Sequence, residues 1–475
     1  MATVQKPNTS KGTRSGFSSR LGFIAAAAGS AVGLGNIWRF PAETGANGGA
    51  AFLVIYLLCT VLIGFPIMVG EITLGRRAQS DPFGAYSKVG KGGWGIVGLL
   101  GVLCGIMILS FYNVVAGWAF GYFLQISFGD LLAQPDFGAY FGQFAAGWYE
   151  NHIFWYALAF MAITAFVVLK GIKDGIETIA KVLMPALFLL LVGLIIYALT
   201  LDGAGDGLAY YLLPDFSKVT PKTFYTAMGQ AFFSLSLGMG ALITYGSYIS
   251  KKENIISSAA IVTIADISVA FLAGLLIFPL VFSQGQAPSG GPGLVFVALP
   301  GIFQSMGPIL GRIVGGGFFL LLCVAALTST ISLLEVPASH LIDERKVPRK
   351  FAVIGLSVVI FILGIPSMLS AGGSEFFTQM LVYENGSDKS FLDLINDVFS
   401  DTFLPLGGLI LSLFLAYRWN LADMAKEIEQ GNEGYIGSAL NKYLDISIRF
   451  ICPIILGGIT LVTILEKFLS IQIFG

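Results

Sequence analysis

Apolar stretches of about 20 residues, one after another with short gaps, leave this chain of 475 residues few folds to choose from. They run at roughly 20–42, 49–75, 94–127, 153–170, 176–200, 222–250, 256–283, 311–341, 350–370, 398–417 and 445–474. An α-helix needs about 20 apolar residues to cross the hydrocarbon layer of a bilayer. The expected fold is therefore an all-α polytopic membrane protein with 11 transmembrane helices. The third and eighth stretches are long enough to tilt or protrude. Only 12% of residues are charged, against about 25% in a soluble domain.

Composition excludes several function classes. A net charge of −1 leaves no electrostatic footprint for nucleic acid. Cys59, Cys104, Cys323 and Cys452 fall singly in apolar stretches, with no disulfide or metal-ligand spacing. His152 and His340 are the only histidines and lie far apart, so no histidine cluster forms within one chain. Residues 1–19 lack the apolar region of a signal peptide and read as a cytoplasmic tail.

Positive charge sets the expected orientation. Of the 27 Lys and Arg residues, 21 fall in the tail or on alternate loops. The opposite loops carry only Lys218 and Lys389. The N-terminus is thus expected in the cytoplasm and the C-terminus outside, in the inner (plasma) membrane of a bacterium.

Two spans cannot be unbroken helices. Span 1 contains Gly29-Ser-Ala-Val-Gly33-Leu-Gly35-Asn36-Ile-Trp38-Arg39-Phe-Pro41, and span 6 contains Phe233-Ser-Leu-Ser236-Leu-Gly238-Met-Gly240. Backbone groups in lipid must be satisfied within the protein, so a break at membrane depth marks a buried site. An offset of five spans makes the two breaks antiparallel. That is the pattern of an inverted repeat, 20–200 against 201–417, with a loop and span 11 (418–475) outside it.

The polar groups at membrane depth are small oxygen donors: Asn36, Ser234, Asp266, Thr328 and Ser329. Hard oxygen ligands of low total charge suit an alkali cation rather than zinc or copper. Asp266 is the lone acid in the middle of span 7, where an ionisable group is functional by default. No paired acids, His or Cys constellation suggests an enzyme. A channel would need a continuous polar path, whereas the polar groups cluster at two breaks.

With these motifs in view the chain resembles the neurotransmitter:sodium symporter family over nearly its whole length. The resemblance rests on residues 29–41, Gly48-Gly-Ala-Ala-Phe52, Gly171-Ile-Lys-Asp-Gly-Ile-Glu177, Gln230 to Gly240 and Leu327-Thr-Ser-Thr-Ile-Ser-Leu-Leu-Glu335. It implies the leucine-transporter fold, a 5+5 inverted repeat with helices 1 and 6 broken, and sodium-coupled transport by alternating access. It also implies two sodium sites. The first would use Ala31, Asn36, Ser234 and Asp266, completed by a substrate carboxylate; the second would use Gly29, Val32, Ala325, Thr328 and Ser329. Ala270 stands where chloride-dependent relatives have a serine, which implies no chloride requirement, with Asp266 supplying the charge.

The substrate follows from the same resemblance. Monoamine carriers have an Asp at the position of Gly33, so glycine implies a substrate with its own carboxylate. Gly33, Gly35 and Tyr112 would meet that carboxylate. Ala31, Phe233 and Ser234 would meet the ammonium. Ile108, Phe233, Ser236, Met239, Ser329 and Leu333 would line a pocket for a hydrophobic or aromatic L-amino acid. A small or ω-amino acid, or a non-transporting amino-acid sensor, is the alternative. The implied gates are Arg39 with Asp397, or with Asp401, outside, and Arg14 with Asp343 near Tyr248 and Glu335 inside. Phe17 replaces the usual Trp, keeping an apolar plug but losing its hydrogen bond, and Ser30 replaces an Asn that meets substrate. Gly175 and Pro185 in span 5 weaken that helix, either to admit water or as a packing kink. The oligomeric state is left open.

Overall fold

The computed structural model of the chain describes residues 16–147, 152–283, 285, 293–382, 388–469, 471 and 473. Eight helical runs are long and apolar enough to cross a membrane: Ala50–Ala78, Gly92–Ser127, Ile172–Ala198, Ile255–Phe282, Leu310–Arg345, Arg349–Leu369, Phe391–Glu429 and Ala439–Phe468. A ninth, Arg20–Ala31 with Gly35–Ala46, bends by 49° at its break. The two other expected spans fall below that measure for plain reasons. Ile153–Leu169 has 17 residues, and the sixth span is split into Pro221–Ser234 and Ala241–Gly246. Numbered in chain order these are helices 1 to 11, helix 4 being Ile153–Leu169 and helix 6 the split pair.

Helix 8 is the central strut. Its apolar window is 78% buried, whereas that of helix 5 is 28% buried and faces outward. Helix 8 packs along helix 3 and against helices 1, 5, 4 and 9. Helix 1 packs between helices 5, 7 and 8, so its break lies deep inside the bundle.

The breaks have local causes. The first half of helix 1 stops at Val32, whose ψ of 110° is extended. A Cβ on Gly33 would sit 2.5 Å from Ser329 Oγ and 2.8 Å from the Tyr112 hydroxyl, so no side chain fits. In helix 6 the chain leaves the helix through positive φ at Ser236, Gly238 and Gly240 (+54°, +88° and +79°). A Cβ on Gly238 would approach the Leu404 carbonyl to 2.2 Å, which requires glycine there.

Hydropathy captured the apolar middles of the spans and missed their amphipathic ends. Helix 10 begins at Phe391 and continues to Glu429, well beyond 398–417. Its last turns bury Leu421, Met424, Ala425 and Ile428 and expose charge, so the mean hydropathy there is low. Four short helices occupy segments expected as loops: Pro82–Gly90, Phe137–Ala146, Ala204–Leu212 and Leu299–Ser305. Asp81 and Asp136 cap the first two through backbone N–H groups. Among the described residues the one departure from an all-α chain is a strand pair, Leu381–Val382 against Asp388–Lys389.

Candidate substrate and cation site

The two breaks face each other. Asn36, on the outgoing half of helix 1, accepts the Gly33 N–H on Oδ1 at 3.0 Å and so caps the break from its own side chain. Its Nδ2 donates to Ser234 Oγ (3.0 Å) on helix 6 and to Asp266 Oδ1 (2.7 Å) on helix 7. Ser234 Oγ lies 2.9 and 3.0 Å from the two Asp266 oxygens. Tyr56 of helix 2 donates to Asp266 Oδ2 at 3.1 Å. Asn36, Ser234 and Asp266 are buried to within 1% of fully. The described partners of this carboxylate are neutral, so a desolvated negative charge is held by dipoles alone. Such a charge is costly without a counter-charge. Oxygen donors with one net negative charge fit a monovalent cation.

A second oxygen cluster lies where helix 1 meets helix 8. The Thr328 hydroxyl is 3.3 Å from the Val32 carbonyl and 2.9 Å from the Ala325 carbonyl. Val32 ends a helix, so its carbonyl is available to a ligand. Gly29 brings its backbone close enough that a Cβ would touch Thr328 at 3.1 Å. Ser329 turns its hydroxyl to the Ser30 carbonyl at 3.5 Å and borders the central cavity. These donors also fit a hard cation.

Between the breaks is a small cavity. All eleven positions named above for the substrate line it: Ala31, Gly33, Gly35, Ile108, Tyr112, Phe233, Ser234, Ser236, Met239, Ser329 and Leu333. Leu404 of helix 10 completes the wall and was not anticipated. Its side chain reaches the site because Gly238 lets helix 10 approach helix 6. The cavity has two chemical ends. At one, Tyr112 accepts the Leu34 N–H at 3.0 Å, keeping its own proton to donate. At the other stand Ile108, Met239, Leu333 and Leu404. Ser30 serves as a knot: its hydroxyl donates to Ser332 at 2.8 Å and its carbonyl accepts from Ser236 Oγ at 2.7 Å.

Three further residues escaped the sequence reading. Tyr56 approaches Asp266, and Gln230 donates to the Gly35 carbonyl at 2.9 Å. Glu71 of helix 2, fully buried, accepts the Gly238 N–H at 2.8 Å and steadies the helix 6 break. A lone acid in span 2 was the available signal for Glu71; nothing in one sequence sets Tyr56 or Gln230 apart.

The cavity is closed at both ends. Toward the end that carries Arg39, Phe233 and Tyr112 separate it from a wider vestibule. Arg39 lies over the Phe233 ring and pairs with Asp401 at 3.0 Å. Asp397 is therefore not its partner: Lys467 (2.8 Å) and Lys389 occupy that carboxylate. At the opposite end Phe17 packs edge-on to Phe23, Tyr245 and Tyr248. Tyr248 donates to Glu335 at 2.8 Å, and Arg349 also pairs with Glu335. Asp343 accepts the Asp81 N–H at 2.9 Å; Arg14 lies outside the described residues. The residues that follow Phe17 are tied to helix 5. Ser18 and Ser19 hydroxyls reach Glu177 of helix 5 at 2.6 and 2.9 Å, and the Ser18 N–H reaches it at 2.7 Å.

Antiparallel broken helices around an occludable cavity at mid-bundle define a secondary transporter. The model of the sodium:neurotransmitter symporter family matches residues 14–137 and 149–471, and the chain belongs to that family. It is 39% identical over 445 residues to the uncharacterized sodium-dependent transporter YhdH of Bacillus subtilis (strain 168), covering 92% of this chain and 95% of that one. An uncharacterized sodium-dependent transporter of Haemophilus influenzae is 35% identical over 460 residues, 94% of this chain and 98% of its own. The crystal structure of MhsT in complex with L-phenylalanine matches with a TM-score of 0.85 and 46% identity, over 94% of this chain and 99% of that one. The chain is thus a multi-pass, sodium-dependent membrane transporter and not an enzyme.

Proposed function

We propose that the chain imports a hydrophobic or aromatic L-amino acid together with two sodium ions across a bacterial plasma membrane. The observation that carries this reading is the two-ended cavity at the breaks. Its lining, small and closely packed with backbone and hydroxyl groups beside apolar side chains, suits one amino acid rather than a peptide. The substrate carboxylate would meet Tyr112, the amides near Gly33 and Gly35, and a sodium ion beside Asp266. The side chain would lie against Ile108, Met239, Leu333 and Leu404, and Met239 is adaptable enough to follow its shape. A similar structure solved with L-phenylalanine supports this choice.

The Asn36, Ser234 and Asp266 cluster holds the first sodium, and the Thr328 cluster the second. Asp266 supplies beside the first ion the charge that chloride would otherwise bring, so transport needs no chloride. Basic loops place the N-terminus in the cytoplasm, which makes the Arg39 end the outer gate and the Phe17 end the inner one. Each sodium ion contributes about 2.3 kcal/mol per 100 mV and about 1.4 per tenfold gradient. Two ions together give roughly 7 kcal/mol, enough for about 10⁵-fold accumulation.

The direct test is binding of radiolabelled L-phenylalanine to the purified protein, competed by a panel of amino acids. Sodium is expected to be required. Equal binding in potassium would sink the symport reading, and competition by glycine or ω-amino acids alone would move the substrate class.

A further inference from the structure

The charges around Arg39 form a chain rather than a pair. Asp401 Oδ1 lies 3.0 Å from Arg39 Nη2, and Asp401 Oδ2 lies 3.6 Å from Nζ of Lys467 on helix 11. Lys467 sits 2.8 Å from Asp397 Oδ1, while Lys389 pairs with Oδ2 of the same group. On the other flank Arg39 Nε is 4.0 Å from Glu43, one turn further along its own helix. Asn396 Nδ2 approaches Asp401 Oδ2 at 3.4 Å.

Opening the vestibule onto the cavity must separate Arg39, on helix 1, from Asp401, on helix 10. The Asp401 side chain is only 15% exposed. Stripping one partner from a mostly buried ion pair costs more than the pair itself is worth, because the remaining charge stays desolvated. Two replacement partners already stand within 4.0 Å, one for each half of the pair. Lys467 can leave Asp397 because Lys389 also holds that carboxylate.

We propose that the outer gate opens by partner exchange: Arg39 passes from Asp401 to Glu43 on its own helix, while Lys467 moves from Asp397 onto Asp401. Each of these charges keeps an opposite partner before and after, so no buried charge is left bare at the turning point. This gives helix 11, which lies outside the inverted repeat, a part in gating. Thr463, one turn before Lys467, bonds the Tyr225 hydroxyl of helix 6 at 2.8 Å, so helix 11 touches both the gate and a broken helix. Lys467 and Glu43 are positioning residues that act through Asp401 and Arg39.

The proposal rests on the alternating-access reading, and one experiment separates the two. Spin labels at Ala46→Cys and Asp393→Cys flank the vestibule; the four native cysteines are buried. Pulsed electron resonance on the purified full chain then reports the open and closed populations without any substrate. Lys467→Gln and Glu43→Gln are each expected to reduce the open population about fivefold, the weight of one partly exposed pair. Lys467→Arg restores it. Asp397→Asn, which frees Lys467 for Asp401, raises it. If Lys467 were a mere clasp between helices 10 and 11, Asp397→Asn and Lys467→Gln would act alike, and that result overturns the exchange. So do unchanged populations in Lys467→Gln, or in Glu43→Gln if the lysine variants do not fold. A single distance in the parent protein, with and without sodium, overturns alternating access itself and the exchange with it.

Discussion

Asp266 is the side chain on which the proposed ion requirement turns. Its carboxylate is fully buried, and its partners Asn36, Ser234 and Tyr56 are neutral. A sodium ion would relieve that imbalance, which is the physical reason to expect sodium before substrate. Asp266→Asn should keep the packing and lose the charge, raising the sodium concentration for half-maximal binding about tenfold, equivalent to about 1.4 kcal/mol. Asp266→Ala should abolish sodium-dependent binding. A sodium titration of phenylalanine binding reads both, and a parent-like midpoint in Asp266→Ala would remove the residue from the site. Asp266 was legible in the sequence because a lone acid in an apolar span is conspicuous. The partner of Arg39 was harder to read. Asp397 and Asp401 lie one turn apart on helix 10, and the choice between them depends on Lys389 and Lys467, which arrive from the short strand pair and from helix 11.

At the scale of elements, the broken helices show what glycine permits. Gly238 combines φ +88° with a Cβ position 2.2 Å from the Leu404 carbonyl. Gly238→Ala therefore carries both backbone strain and a steric clash, and should destabilise the protein by about 2 kcal/mol. Gly205, in the short helix Ala204–Leu212, has ordinary φ and open space around its Cβ. Gly205→Ala should stay within about 0.5 kcal/mol of the parent. Thermal unfolding in detergent, followed by loss of the monodisperse peak, compares the two, and equal midpoints would mean that helix 10 simply yields. The breaks were readable because Gly-x-Gly at membrane depth conflicts with a continuous helix. The length of helix 10 was not, because its amphipathic end buries one face against helix 2. The eleven cavity positions, which the family resemblance implied, converge because the two antiparallel breaks face each other.

Across the whole molecule the two gates differ in kind. The Arg39 end is thin: charged pairs over Phe233, with a wide vestibule beyond. The Phe17 end is thick, with an aromatic plug, the Glu335 network and the Glu177 latch in series. Glu177 ties the start of helix 1 to helix 5 through Ser18 and Ser19, and Lys181 pairs with the same carboxylate at 2.5 Å. A Cβ on Gly22 would strike Glu177 at 2.2 Å, so the latch also needs glycine opposite it. Glu177→Gln keeps the size of the side chain but removes its charge, weakening three charge-assisted bonds and the lysine pair. The loss of about 1–2 kcal/mol should favour the inward-open state about tenfold. Ala26→Cys, buried beside Thr328 and Tyr245 on the inner side of the break, offers a readout. Its alkylation by a maleimide should quicken about tenfold in Glu177→Gln, while phenylalanine affinity falls because less protein holds the occluded cavity. If alkylation is as slow as in the parent, the inner closure resides in the aromatic plug and the Glu335 network, and Glu177 only orders the start of helix 1.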